Sequence, residues 1–198
     1  MTQQLYSHNG SLPAPLPFRI TLSDGRARTD PTTFTPAEIA DAGYVAADPK
    51  PTPGADQVVS WGGSDWVVRT KTAEELAAEA EAARSVLNAN LAAYRWDVET
   101  GGVDLGGSQI ETTREAQAQI SSTYSALKDG LVTSVEWKAA TGWLVLDLSA
   151  FTPIAQAVAT HVQACFAAER AVSTQIDALT DAELPGFDVV AAFDAAKT

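Results

Sequence analysis

The sequence predicts an α+β fold in three parts: an extended, proline-rich N-terminal arm with a β-hairpin, a long linking helix, and a small antiparallel sheet packed with two helices. Three observations predict it. Prolines at 13, 15, 17, 31, 36, 49, 51 and 53 crowd the first quarter, and only Pro153 and Pro185 follow. An alanine-rich run from Ala73 to about Ala93 contains neither proline nor glycine. Beyond it, short alternating segments are punctuated by Gly-Gly pairs and then give way to a long apolar stripe at helical spacing. The three parts are residues 1–71, 72–95 and 96–198.

Proline fixes φ and removes an amide donor, so Leu12 to Pro17 reads as polyproline-like backbone. Phe18 to Leu22 follows as a short strand ending at an Asp24-Gly25 turn. Thr35-Pro36-Ala37-Glu38 carries the side chains of a capping box with proline at the first helical position, and Gly43 supplies the stop for one or two helical turns. Gln57 to Trp61 and Asp65 to Arg69 flank Gly62-Gly63 as a hairpin.

Thr72-Ala73-Glu74-Glu75 is a second capping-box sequence, and it opens a helix with high intrinsic propensity. Along that helix Leu76, Ala80, Ala83, Leu87, Asn90 and Tyr94 alternate in steps of four and three, the seam of a short coiled coil. Leu76, Ala80, Ala83, Leu87 and Tyr94 are therefore candidates for an oligomer interface. The same stripe also fits a monomeric helix laid on its own domain.

After Tyr94 the pattern alternates. Trp96 to Glu99, Val103 to Leu105 and Ser108 to Ile110, separated by Gly101-Gly102 and Gly106-Gly107, predict a three-stranded meander. Thr112-Thr113-Arg114-Glu115 caps a helix ending at Asp129-Gly130. A second hairpin, Ser134 to Lys138 and Trp143 to Asp147, turns through Ala140-Thr141-Gly142. Thr152-Pro153 is expected to open the longest helix. Its stripe of Ile154, Val158, Val162, Cys165, Phe166, Val172, Ile176 and Leu179 should cover the preceding strands. A last short helix fits Val189 to Phe193.

Hydrophobic content of 45% with 19% charged residues lies in the ordinary globular range. The formal net charge of −12, from 13 Lys and Arg against 25 Asp and Glu, repels phosphate backbones and anionic lipid, so nucleic-acid binding is not expected. The N-terminus lacks a basic segment followed by an apolar one, and no run approaches the roughly 18 apolar residues of a membrane span, so no membrane insertion is expected. Cys165 is the single cysteine, which excludes an intrachain disulfide and a zinc site of paired thiolates.

No catalytic motif is legible: there is no Gly-x-Ser-x-Gly elbow, no phosphate-binding glycine loop and no His-Glu-x-x-His helix. His8 reads as a solvated or interface residue and His161 as a hydrogen-bonded flank of the long helix. Cys165 lies in the apolar stripe, where a thiol behaves as a small hydrophobe. Asp97, Glu99 and Asp104 raise calcium ligation or a glycosidase pair, but alternation places Asp97 and Glu99 together on a solvated strand face. No cofactor or metal is expected. Of the five tryptophans, Trp96, Trp137 and Trp143 are assigned to the C-terminal core, where each buried ring removes roughly 150–250 Å² from water. Trp61 and Trp66 lie among few large apolar residues and are candidates for contact with a partner subunit or a sugar.

Four blocks carry a resemblance: Tyr94-Arg95-Trp96-Asp97-Val98-Glu99-Thr100-Gly101-Gly102-Val103, Thr112-Thr113-Arg114-Glu115-Ala116-Gln117, Val135-Glu136-Trp137-Lys138 and His161-Val162-Gln163-Ala164-Cys165-Phe166. They resemble an uncharacterised domain common at the C-terminal ends of tail-fibre-type proteins of tailed bacteriophages. Leu16 to Ile20, Asp24 to Arg26, Thr35 to Tyr44 and Trp66 to Arg69 resemble the short leading region of small phage tail proteins. The resemblance implies a virion structural protein of the tail, made in the host cytoplasm, with other tail proteins as partners. Leu16, Phe18, Tyr44, Trp61 and Trp66 are its candidate partner contacts. A homo-oligomer is expected, with a trimer favoured by analogy with threefold fibres. The alternatives are a tail-fibre assembly chaperone and a module that binds a host surface glycan. The family carries no assigned catalytic residues, and an enzyme is the last reading.

Overall fold

The computed structural model describes residues 4–139 and 142–197. The chain divides into two compact units, Met1–Ala77 and Ala78–Thr198. It is an α+β protein whose strands all pair as two-stranded antiparallel sheets, and a long helix links the N-terminal strands to the C-terminal region.

In the first unit, β1 (Leu5–His8) pairs with β4 (Tyr44–Ala47) in the register Leu5↔Ala47 to His8↔Tyr44. This sheet has no local turn to announce it and was not legible in the sequence. The proline-rich segment also folds back: between Pro13 and Pro15 only Ala14 keeps an amide, and that amide donates to the Tyr6 carbonyl at 2.9 Å. β2 (Arg19–Thr21) ends at the expected Asp24-Gly25 turn, with Gly25 at φ 83°, and pairs as a hairpin with β3 (Ala27–Thr29). α1 (Pro36–Asp41) starts at a complete capping box, Glu38 N to Thr35 Oγ1 at 3.3 Å and Thr35 N to Glu38 Oε2 at 2.9 Å. Ile20, Leu22, Phe34 and Ala42 make the core of this unit, with Leu16, Ile39 and Tyr44 packed around them. β5 (Gln57–Trp61) and β6 (Trp66–Thr70) form the hairpin before the long helix.

That helix, α2 (Ala73–Thr100), begins at the second capping box, with Thr72 N to Glu75 Oε2 at 2.9 Å and Glu75 N to Thr72 Oγ1 at 3.2 Å. It does not stop near Tyr94. The expected three-stranded meander is corrected to a two-stranded hairpin, β7 (Val103–Leu105) with β8 (Ser108–Ile110), because Trp96 to Glu99 are helical. The physical reason is packing: Leu87, Leu91, Tyr94 and Val98 follow steps of four, three and four and share one apolar cluster, a face that a strand would break up. Gly102, at φ 96°, belongs to the helix exit rather than a strand turn.

α3 (Arg114–Lys128) has Thr113 as its N-cap and Gly130 beyond its end at φ 71°. β9 (Ser134–Ala139) and β10 (Gly142–Asp147) form the second hairpin, and the turn assigned to Ala140-Thr141-Gly142 lies partly outside the described residues. β10 passes directly into α4 (Leu148–Ala178), whose N-cap is Asp147 rather than Thr152. Pro153 therefore lies inside the helix, where it forgoes one backbone bond. α5 (Val189–Ala196) follows, capped by Asp188.

Two apolar clusters hold this unit. Leu91 of α2, Cys165, Ala168, Val172 and Ile176 of α4, and Val189 and Phe193 of α5 form one. Ile120 and Leu127 of α3 with Phe151 and Val158 of α4 form the other, joined by Val135, Trp137, Leu146, Ile154 and Val162. Trp137 packs edge-on to Phe151 at 5.0 Å. Three core assignments are corrected: Trp96, Trp143 and Phe166 are exposed. Trp96 left the core with the change from strand to helix, and Trp143 points from the hairpin face opposite Trp137 and Leu146.

Candidate functional site

Near the end of α2 the Glu99 side chain is fully buried, at 0% exposure. The expectation of a solvated strand face shared with Asp97 is therefore corrected: Asp97 is exposed on the helix and Glu99 points inward. A buried carboxylate must be met by donors, because desolvating a bare charge is costly. Arg95, one turn earlier, donates through Nη1 to Glu99 Oε2. Arg114, the first residue of α3, donates Nη2 to Oε2 at 3.2 Å and places Nη1 3.0 Å from Oε1 as an ion pair. Gln117 Nε2 donates to Oε1 at 3.1 Å. Arg95 reaches α4 as well, Nε to Glu169 Oε2 at 3.2 Å.

The backbone around this carboxylate is closed in the same way. A helix leaves its last carbonyls without intrahelical donors. His161 Nε2 lies 3.1 Å from the Val98 carbonyl and 3.2 Å from that of Glu99; carbonyls only accept, so this nitrogen carries the proton. Buried Thr112 donates Oγ1 to the Glu99 carbonyl at 2.5 Å and accepts from the Gly102 amide at 2.8 Å. His161 is thus the hydrogen-bonded histidine its sequence context suggests. Cys165 Sγ sits 3.9 Å from His161 Nε2, and burial pushes the thiol pKa up, which disfavours the thiolate.

On the outer side, guanidinium groups and aromatic rings stack. Arg95 lies 4.8 Å from the Phe166 ring and 5.9 Å from that of Trp96, and Arg114 lies 4.9 Å from Trp96. This explains how Phe166 and Trp96 reside at the surface: each covers the apolar face of an arginine already held by Glu99. Oε2 accepts from Arg95 and Arg114, and Oε1 accepts from Gln117 with an Arg114 nitrogen beside it, so the carboxylate is met by donors and cations on both oxygens. Such a group ties three helices together. Asp104 stands apart on β7, where it accepts from the Gly107 amide at 3.2 Å. Among the described residues no group of three or more His, Cys, Asp or Glu is placed to hold a metal ion. Between α3 and α4 an open groove of about 420 Å³ is lined by Ile120, Tyr124, Ala155, Val158 and Val162 with neutral polar neighbours.

The candidate contact residues divide. Phe18 is 70% exposed, whereas Leu16 and Tyr44 are half-buried against the first unit's core, with Tyr44 stacked on His8 at 4.4 Å. Trp61 and Trp66 meet edge-on at 5.2 Å across their hairpin, and their indole N–H groups donate to the carbonyls of Gly10 and Asp48. In the proposed seam Ala80 is buried, Leu76 and Ala83 are half-buried and Asn90 is exposed. Leu87 and Tyr94 pack on the chain's own core, and Tyr94 donates its hydroxyl to Asp194 at 3.0 Å, which pushes its pKa up. Among the described residues no helix is long and apolar enough to cross a membrane.

The ion cluster was missed by the sequence reading, although Arg95 and Glu99 carry its signal, an opposite-charge pair at i,i+4. The signal counts only once Trp96 to Glu99 are read as helix. Residues 79–195 match the model of a family described as Domain of unknown function (DUF4376), more than half of the chain, and the chain belongs to that family. The matched span contains every residue of the Glu99 cluster. No curated protein and no solved structure matches the chain.

Proposed function

We propose that this member of the DUF4376 family is a bacteriophage virion structural protein, a tail or tail-fibre-associated subunit that acts in assembly and attaches to other tail proteins. The observation that supports this reading most is the surface of the first unit. Leu12, Phe18, Val45, Val67 and Val68 are exposed beside three separate two-stranded sheets, a surface suited to strand addition and apolar anchoring. Prolines at 13, 15 and 17 reduce the entropy lost when the adjoining backbone docks. The motif blocks that resemble those of tail proteins support the same reading. The Glu99 cluster, tying three helices together, suits a rigid scaffold. Its place is the virion tail, after synthesis in the host cytoplasm.

Self-association belongs to the same reading. A trimer through α2 would have to use the part of the stripe left over once Leu87 and Tyr94 are covered by α4 and α5. The reading is tested by mass spectrometry of purified virions against the crude lysate of the same infection. Peptides from this chain are expected in the particle in proportion to other tail proteins. Their presence in the lysate and loss from the particle would replace the structural role with that of an assembly chaperone.

A further inference from the structure

Six large apolar side chains between residues 131 and 148 are exposed: Leu131, Val132, Trp143, Leu144, Val145 and Leu148. They gather on and beside the β9–β10 hairpin, whose two strands pair with no other strand among the described residues. The register sorts the hairpin's side chains onto two faces. Val135, Trp137 and Leu146 share the inner face and pack on α3 and α4. Ser134, Glu136, Lys138, Trp143, Val145 and Asp147 share the outer face, with Ser134 opposite Asp147, Glu136 opposite Val145 and Lys138 opposite Trp143. Trp143 is 68% and Val145 65% exposed. A lone two-stranded sheet is marginal in water, and an apolar outer face on it is an aggregation hazard unless something covers it.

We propose that the outer face of β9–β10 is covered by the same face of a second copy of this chain. The charge pattern picks out this occupant. A two-fold axis lying in the contact plane, across the strands and between the two cross-strand rows, exchanges those rows. Each Lys138 then meets the Glu136 position of the other copy, and each Trp143 meets the other Val145. Both apolar side chains are buried and both charges paired by one operation, the self-complementarity that an isologous contact requires. Elsewhere the chain, at a net charge of −12, repels its copies, whereas the two exchanged rows carry one charge of each sign and Asp147, at the end of the face, is engaged as the N-cap of α4. This contact goes beyond the virion reading and does not rest on it.

Light scattering coupled to size-exclusion chromatography of the full chain, over a range of concentrations, tests it. A concentration-dependent doubling of mass is expected. Lys138→Glu places like charges opposite each other twice and should weaken the association at least about tenfold. The double swap Glu136→Lys with Lys138→Glu rebuilds the same pairs in reverse and should restore it. These positions are exposed, so circular dichroism should show an unchanged fold. A monomer at every concentration overturns the proposal and leaves the face to a different protein. A dimer indifferent to Lys138→Glu, or one weakened by it and not restored by the double swap, also overturns it, as does a trimer whose mass does not double with concentration.

Discussion

The two units of this protein are specified in different ways. The first is built from short elements, most of them fixed by a local turn or cap, the Asp24-Gly25 turn, the Thr35 capping box and the Gly62-Gly63 hairpin, with the β1–β4 pair as the exception. They surround a small core of Ile20, Leu22, Phe34 and Ala42. The second is built on long helices whose ends are fixed by partners far away in sequence. Glu99 is satisfied by Arg114 and Gln117, and the last carbonyls of α2 by Thr112 and by His161, more than sixty residues on. A unit assembled from local signals tolerates loss of one of them. A unit closed around a buried charge does not, because removal of one partner leaves the others desolvated and unpaired.

The largest expected effect comes from breaking that closure. Glu99→Ala leaves Arg95, whose side chain is only 12% exposed, with Glu169 as its remaining carboxylate and removes the shared partner of Arg114 and Gln117, and should destabilise the second unit by about 3–5 kcal/mol in urea unfolding. A loss below about 1 kcal/mol would show that the cluster does not organise this unit. A smaller effect is expected in the first unit. Thr35→Ala removes one cap and should cost about 0.5–2 kcal/mol. Hydrogen exchange should quicken in α1 and stay unchanged around Glu99; a loss of protection spreading to Glu99 would end the contrast between the units.

The smallest effect sharpens the comparison through pH. Arg69 donates to both oxygens of Glu75, which also accepts from the Thr72 amide, and these bonds hold its carboxyl pKa at about 2, below the ordinary 4.5. The folded value is depressed, so the contribution is present above the unfolded pKa of about 4.5 and is lost as the pH falls toward about 2. Carboxyl-carbon NMR should place the Glu75 midpoint near 2, and Glu75→Gln should flatten that part of the acid limb. A midpoint near 4.5 would mean that the exposed pair is open in solution.

Most of the element order was written in the sequence. The capping boxes at Thr35 and Thr72, the turns at Gly25 and Gly62-Gly63, the cap at Thr113 and the short helix after Asp188 are local chemistry, readable within a few residues. By itself the sequence determined the α+β class, the long linking helix, the place of Cys165 in an apolar stripe and the hydrogen-bonded character of His161. Tertiary structure decided the rest. Trp96-Asp97-Val98-Glu99 alternates like a strand, yet it is helical because Val98 completes a packed stripe and Glu99 finds donors on α3. Thr152-Pro153 looks like a helix start, yet Asp147 caps the helix five residues earlier because β10 runs straight into it. β1 pairs with β4 across some forty residues, a contact for which neither strand carries a local signal. Caps and turns are contests between near neighbours and their outcome travels with the sequence; a buried charge or a distant strand pair is settled only when the partner arrives, because its free energy resides in groups that the local chain does not contain.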